Sequence, residues 1–148
     1  MAREANATMS RFGYPNSLVA AYDHWVVLVR PAQATLGSLV LACSEQAEAF
    51  SAISDAAAAE MPQAVKAIEH TLFELWKYNK INYLMLMMVD PHVHFHVIPR
   101  YEQDQVFQGM TFSDTGWPKQ PDLGSAVNLD EPGVEAMARY LREHWLNV

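Results

Sequence analysis

The sequence has very little cysteine and no long apolar run, and both shortages narrow the class of protein. A single cysteine, Cys43, excludes an internal disulfide framework and fits a reducing compartment. The most apolar stretch, residues 83–89, is too short to span a bilayer. Residues 1–10 have no apolar core, so they do not resemble a signal peptide. We therefore expect a cytoplasmic protein that does not enter a membrane.

Positive charge is also scarce, because 10 Lys and Arg stand against 17 Asp and Glu, a formal net charge of −7 at pH 7. This balance argues against binding to long nucleic acid, which needs a basic surface. A small phosphorylated ligand is still compatible with it, provided that a few positive groups converge locally. A local site is therefore expected rather than an extended charged surface.

The chain does contain enough apolar material for one domain with a core, since 51% of its 148 residues are hydrophobic. Residues 1–11 are predicted to be a mobile N-terminal arm, and residues 12–148 a single domain. Four strands are predicted, at residues 24–30, 38–43, 81–89 and 93–101. The first two are expected to pair as a hairpin with a long loop.

Two helices are predicted between the second and third strands, one capped by Ser44 and one with Pro62 in its first turn. A last helix begins near Asp130. This order predicts an α+β fold, with an antiparallel sheet of about five strands, two helices packed on it and a C-terminal helix. The strand at 81–89 is apolar on both faces, so we expect it at the centre of the sheet or in an oligomer interface.

Histidine is concentrated in the run His92-Val93-His94-Phe95-His96. Alternate residues of a strand share a face, so the three imidazoles are expected on one side, about 7 Å apart. Because imidazole titrates near neutrality, one ring can be a neutral nucleophile while a neighbour is a cation that stabilises phosphate oxygens. The nucleophilic ring needs an acceptor for its other nitrogen, and a backbone carbonyl of the same strand is a candidate.

Two other interpretations of this run remain open. Paired histidines at this spacing also bind metals, so His92, His94 and His96 are alternative metal ligands. No second cluster of Cys, His, Asp or Glu completes such a site in the sequence, and we predict neither a metal nor another cofactor. Partly buried histidines without a function are the third interpretation.

The segment from His92 to Ile98 resembles the signature of the histidine triad superfamily, His-φ-His-φ-His-φ-φ with φ apolar, and all seven positions fit. Residues 99–101, Pro-Arg-Tyr, are similar to the continuation in the bacterial diadenosine-polyphosphate hydrolase and fragile-histidine-triad branches. Residues 36–41 are similar to the family's Pro-Gly-His-x-Leu-Val strand. The resemblance covers about residues 15–101.

The resemblance implies a histidine triad fold and a hydrolase or nucleotidyl transferase that cleaves nucleoside phosphate derivatives, such as dinucleoside polyphosphates. His94 would attack the α-phosphate and form a covalent nucleotidyl-histidine, which water would then release. His92 would orient the nucleophile, and His96 would contact the scissile phosphate or the leaving group. Family members are usually homodimers that need no catalytic metal. A module that binds nucleotides without turnover is a further alternative.

Four further residues are candidates for substrate binding. Arg30 and Arg100 carry guanidinium groups that match phosphate oxygens, with a solvated strand end as the alternative for each. Asn82 either faces the pocket or simply starts its strand. Ser38 occupies the position at which the family often has a fourth histidine. Leu28 or Val29 stands where the family has a ribose-binding Asp or Asn, and a short turn replaces its Gly-rich loop before the triad.

Overall fold

The computed structural model describes residues 4–148, and its centre is a five-stranded antiparallel sheet. The strands are β1 (Leu18–Ala21), β2 (Trp25–Val29), β3 (Ala32–Gln33), β4 (Leu39–Cys43), β5 (Lys80–Leu84), β6 (His94–Arg100), β7 (Gln105–Phe107), β8 (Met110–Phe112) and β9 (Val127–Asn128). The large sheet has the order β1-β2-β4-β6-β5, and β3-β9 and β7-β8 form small two-stranded sheets. The predicted α+β class with a five-stranded antiparallel sheet is confirmed, as is the pairing of the first two predicted strands, now β2 and β4.

Three helices accompany the sheet: α1 (Ala7–Arg11), α2 (Asp55–Trp76) and α3 (Glu131–His144). None of the helices within residues 4–148 is long and apolar enough to cross a membrane. The last helix begins where it was predicted, with the Asp130 side chain accepting from the Gly133 N–H. The two helices predicted between the second and third predicted strands are instead one 22-residue helix that contains Pro62, and Ser54 caps it.

The helix predicted after Ser44 is absent because its backbone is bonded elsewhere. The Ala47 carbonyl accepts from the Val93 N–H at 3.0 Å, and the Glu45 carbonyl accepts from the Asn6 side chain at 3.0 Å. These bonds hold the segment beside the chain that leads into β6. Between β4 and α2 the one helical element is a short 3₁₀ turn at residues 50–52.

The main core lies between one face of the sheet and the helices α2 and α3. Its strand residues include Val27, Leu41 and Val97, and its helix residues include Leu72 and Leu141. At the turn into β4, Gly37 has a φ of +84°, and a Cβ built there would lie 2.7 Å from the Trp76 ring. Only glycine fits both the left-handed backbone and this close approach.

The opposite face of the sheet carries a second, smaller apolar cluster. Val26, Leu28, Val40 and Ala42 project from β2 and β4, and Met9 of α1 packs on them, fully buried. The N-terminal arm predicted at residues 1–11 therefore differs from the structure. Residues 1–3 lie outside the described residues, whereas the rest of the segment is docked on the sheet through Met9.

The strand predicted at residues 81–89 ends at Leu84, and β5 lies at the edge of the sheet. The central position proposed for it is thus wrong. The interior strand next to it is β6, which lies between β4 and β5. Beyond Leu84 the chain forms an irregular segment in which Leu86, Met88 and Val89 are exposed. An alternative role for this apolar stretch, in an oligomer interface, stays a prediction.

Candidate active site

The three histidines come together on the face of the sheet that carries the smaller cluster. His94 and His96 lie on β6, opposite Ala42 and Val40 of β4, whereas His92 lies just before the strand begins. The ring centroids of His94 and His96 are 5.1 Å apart. All three side chains are largely buried, with 8%, 1% and 8% of His92, His94 and His96 exposed.

A backbone carbonyl fixes the proton of the middle ring. Nδ1 of His94 lies 2.7 Å from the carbonyl oxygen of His92. Because a carbonyl oxygen only accepts hydrogen bonds, Nδ1 carries the proton and donates it. In the neutral ring the Nε2 atom of His94 then has the free lone pair, the state that a nucleophilic imidazole requires.

The third ring is paired with an arginine from the end of β2. Arg30 Nε donates to His96 Nδ1 at 3.3 Å, and its Nη1 donates to the Ala32 carbonyl at 2.6 Å. Burial, the Arg30 charge and His94 together lower the pKa of His96 to about 4. At neutral pH His96 is therefore uncharged. The cation beside this ring is the guanidinium of Arg30 and not the imidazolium that the sequence had suggested.

Replacing Arg30 with glutamine is expected to raise the His96 pKa. The substitution removes one of the positive charges that oppose protonation, while burial, the larger cause, keeps the pKa below its ordinary value. An NMR titration of the His96 ring measures the shift. Arg139→Gln, on the exposed surface of α3, is the matched control and should leave the midpoint unchanged. An unchanged midpoint in Arg30→Gln would contradict this account of the site.

The first ring contacts the N-terminal segment. Thr8 Oγ1 lies 3.2 Å from His92 Nδ1 and accepts from the His92 N–H at 3.1 Å. The Phe12 ring packs against His94 and His96, with centroid distances of 5.6 and 5.7 Å. Sequence reasoning missed Thr8 and Phe12, because nothing in their local pattern points to a strand more than 80 residues away.

Ser38, the residue in place of a fourth histidine, is completely buried in the turn before β4. Its Oγ donates to the Thr35 carbonyl at 2.8 Å and accepts from the Thr35 N–H at 3.0 Å. Thr35 Oγ1 in turn donates to the Pro99 carbonyl at 2.5 Å. In this structure the Ser38 hydroxyl thus organises the turn and ties it to β6.

Arg100 and Asn82 lie on the same face as the triad but farther along the strands. Arg100 follows His96 by four residues on β6, which corresponds to about 13 Å. Its guanidinium forms a bidentate pair with Asp114, at 2.7 and 2.9 Å, and donates to Asn82 Oδ1 at 2.8 Å. This network closes one wall of a cavity of about 850 Å³, together with Trp117.

The rings of the triad do not form a ready-made metal centre. Within residues 4–148, no group of three or more His, Cys, Asp or Glu is placed to hold a metal ion. The His94 Nδ1 atom is already committed to the His92 carbonyl. Cys43 is buried, and burial raises the pKa of its thiol to about 11, so without a metal it is a neutral thiol at neutral pH.

Comparison with known proteins gives matches by structure and none by sequence. No family model matches the chain, and no curated protein matches its sequence significantly. A histidine triad protein from Bradyrhizobium japonicum aligns over 97% of this chain and 98% of its own, with a TM-score of 0.67 and 17% identity. A diadenosine triphosphate hydrolase from Plasmodium falciparum aligns over 87% and 76%, with a TM-score of 0.66 and 10% identity.

A third similar structure is a zinc-bound histidine triad family protein from Mycobacterium smegmatis. It aligns over 88% of this chain and 84% of its own, with a TM-score of 0.58 and 16% identity. Because the identities are only 10–17%, these proteins resemble the chain in the arrangement of the backbone and not in sequence. The sheet order and these likenesses together show that the chain adopts the histidine triad fold.

Proposed function

We propose that this chain is a histidine triad enzyme that hydrolyses nucleoside phosphate derivatives or transfers their nucleotidyl group. One observation carries the proposal: the 2.7 Å contact between His94 Nδ1 and the His92 carbonyl, which leaves the Nε2 lone pair free to attack phosphorus. The diadenosine triphosphate hydrolase among the similar structures supports the substrate class.

The reaction proceeds in two steps at one phosphorus atom. His94 Nε2 attacks the α-phosphorus, and the N–P bond forms while the bond from phosphorus to the leaving-group oxygen breaks, with its electron pair departing on that oxygen. Water, or another acceptor in a transfer reaction, then attacks the same phosphorus and breaks the N–P bond. Hydrolysis releases the nucleoside monophosphate and a proton and regenerates His94. His92 and His96 are placed as its neighbours to contact the phosphoryl group.

The neutral state of His96 favours one kind of leaving group. With a pKa of about 4 in the ligand-free site, His96 is uncharged near pH 7, so it forms hydrogen bonds but does not serve as a general acid. An amine or alcohol needs a proton to depart, whereas a phosphate, whose second pKa is about 6, departs as an anion. The site therefore suits phosphoanhydrides, such as dinucleoside polyphosphates, better than phosphoramidates.

Positive charge for the phosphoryl oxygens comes from Arg30. Its guanidinium directly contacts His96 and matches phosphate geometry. Arg100 and Asn82 lie farther along the strands and hold the wall of the cavity. Any contact that they make is with a part of the ligand distant from the triad.

The enzyme is further proposed to be a cytoplasmic homodimer. Among the described residues β5 has β6 as its one strand neighbour, so its outer edge offers unpaired backbone groups. Leu86, Met88 and Val89 extend this edge with exposed apolar surface, which a second copy would bury. The single, buried Cys43 fits a reducing compartment.

Incubation with diadenosine tetraphosphate is expected to release AMP and ATP, and adenosine phosphoramidate should react more slowly because its amine needs a proton. Chromatography of the products measures both rates. Tight AMP binding by calorimetry without turnover of either substrate would contradict an enzyme and favour a nucleotide-binding module. Stoichiometric zinc or iron retained through dialysis by untagged protein would favour the metal-binding alternative.

A further inference from the structure

We infer that Thr8 is a positioning residue of the active site, which holds the His92 ring with its proton on Nε2. The geometric part of this inference stands on the contacts of Thr8 alone. Its kinetic part rests on the proposed function, because a rate is measurable only if the chain is an enzyme.

The direction of the two hydrogen bonds follows from the chemistry of a hydroxyl. Thr8 Oγ1 accepts from the His92 backbone N–H at 3.1 Å, and it lies 3.2 Å from His92 Nδ1. Thr8 is fully buried, and among residues 4–148 the hydrogen bonds of its hydroxyl are both with His92. A buried O–H without an acceptor is costly, so the hydroxyl donates to Nδ1. Nδ1 therefore has the lone pair, and the proton is on Nε2.

The position of Thr8 is fixed by its neighbours in the N-terminal segment. Asn6 Nδ2 donates to the carbonyls of Cys43 and Glu45, at 2.9 and 3.0 Å, and Asn6 Oδ1 caps α1 by accepting from the Met9 N–H at 2.9 Å. Met9 is fully buried on the sheet. Asn6 thus ties the start of α1 to the end of β4, and Met9 holds α1 on the sheet, so the Thr8 hydroxyl stays beside His92.

Thr8 acts on the nucleophile through His92. The carbonyl that fixes His94 Nδ1 belongs to His92, the residue whose N–H and ring Thr8 both hold. On the other side, Arg30 Nε donates to His96 Nδ1 and leaves a proton on its Nε2. The site then has one Nε2 lone pair, on His94, between two Nε2–H donors. Such donors stabilise the charge that develops on phosphoryl oxygens.

A matched pair of substitutions separates the hydroxyl from the shape of Thr8. Thr8→Val keeps the branched side chain and removes the hydroxyl, and Thr8→Ser keeps the hydroxyl. For diadenosine tetraphosphate we expect the kcat of Thr8→Val to fall about 10–100-fold, as for other residues that orient catalytic groups, with little change in KM. Thr8→Ser should stay close to the unsubstituted chain. Thermal unfolding of both variants checks that the fold is retained.

The tautomer itself is read from the ¹⁵N chemical shifts of the histidine rings in the unsubstituted protein, so this test needs no variant to fold. We expect an Nε2–H tautomer for His92 and an Nδ1–H tautomer for His94. Thr8→Val should convert the His92 signal to a mixture of the two tautomers. An Nδ1–H tautomer at His92, or a folded Thr8→Val with an unchanged spectrum and unchanged kcat, would overturn the inference. If the chain turns over no nucleotide, the proposed function is contradicted. The ¹⁵N spectrum alone would then decide whether Thr8 fixes the His92 tautomer.

Discussion

Replacing His94 with alanine is expected to reduce AMP release from diadenosine tetraphosphate by at least ~10³-fold, because the covalent catalyst is removed. The ring is 1% exposed and its Nδ1 atom is fixed at 2.7 Å from the His92 carbonyl, so no neighbour can take over its geometry. Product chromatography under steady-state conditions measures the loss. His70→Ala, at an exposed histidine of α2, is the matched control and should retain activity.

The covalent step can be observed directly beside this loss of rate. Acid-free quenching of the unsubstituted protein with substrate should add the mass of one nucleotidyl group to the peptide that contains His94, and the alanine variant should lack this addition. If His94→Ala retains its activity, the assignment of His94 as the nucleophile is contradicted. A nucleotidyl group found on His92 or His96 instead would show that the proton positions around the triad have been misassigned.

The second large effect is expected on stability, from Arg100→Met. Arg100 and Asp114 form a bidentate pair with side chains only 4% and 1% exposed. Removing the guanidinium leaves a buried carboxylate without its charged partner and with only the Tyr101 N–H as a donor among the described residues, so we expect the free energy of unfolding to fall by about 3–5 kcal/mol. Denaturant titration measures the change. The exposed pair of Arg139 and Glu135 is the control, and Arg139→Met should cost less than about 1 kcal/mol.

A double variant tests whether the unpaired charge is the cause. Arg100→Met with Asp114→Asn removes both charges and should recover part of the stability that the single variant loses. If Arg100→Met instead leaves stability unchanged and abolishes substrate binding, then the substrate-binding role predicted for Arg100 from the sequence is the better description.

The sheet and its imidazole face were predictable because both follow from local patterns. The strict alternation around His94 defines a strand with one imidazole face, and the short apolar runs before it define β2 and β4. Helix boundaries were less predictable, since Ser44 and Ser54 are equally good caps in isolation. The choice between them is made by distant backbone bonds, such as the one from Val93 to Ala47.

The pairings of the triad could not be predicted for the same reason, although Arg30 itself was a candidate for phosphate binding. Thr8 and His92 are 84 residues apart, and Arg30 and His96 are 66 apart. Neither Thr8 nor Arg30 differs locally from a surface polar residue, because the sequence records their type and not what lies opposite them in the fold. Asp114 was missed likewise, since it lies in an irregular segment whose only pattern is its glycines and prolines.

The docked N-terminal segment is expected to be less stable than the sheet on which it packs. Within residues 4–148 its cluster contains five buried hydrophobic residues, with Met9 the one contributed by α1, against 20 in the main core. A segment held by so little apolar surface detaches locally at a lower free energy than the sheet unfolds. Detachment would remove the Thr8 hydroxyl and the Phe12 ring from the triad while β4 and β6 stay paired. Under mild denaturing stress we therefore expect the proposed activity to fall and to recover on return to native conditions, while the five-stranded sheet stays formed throughout.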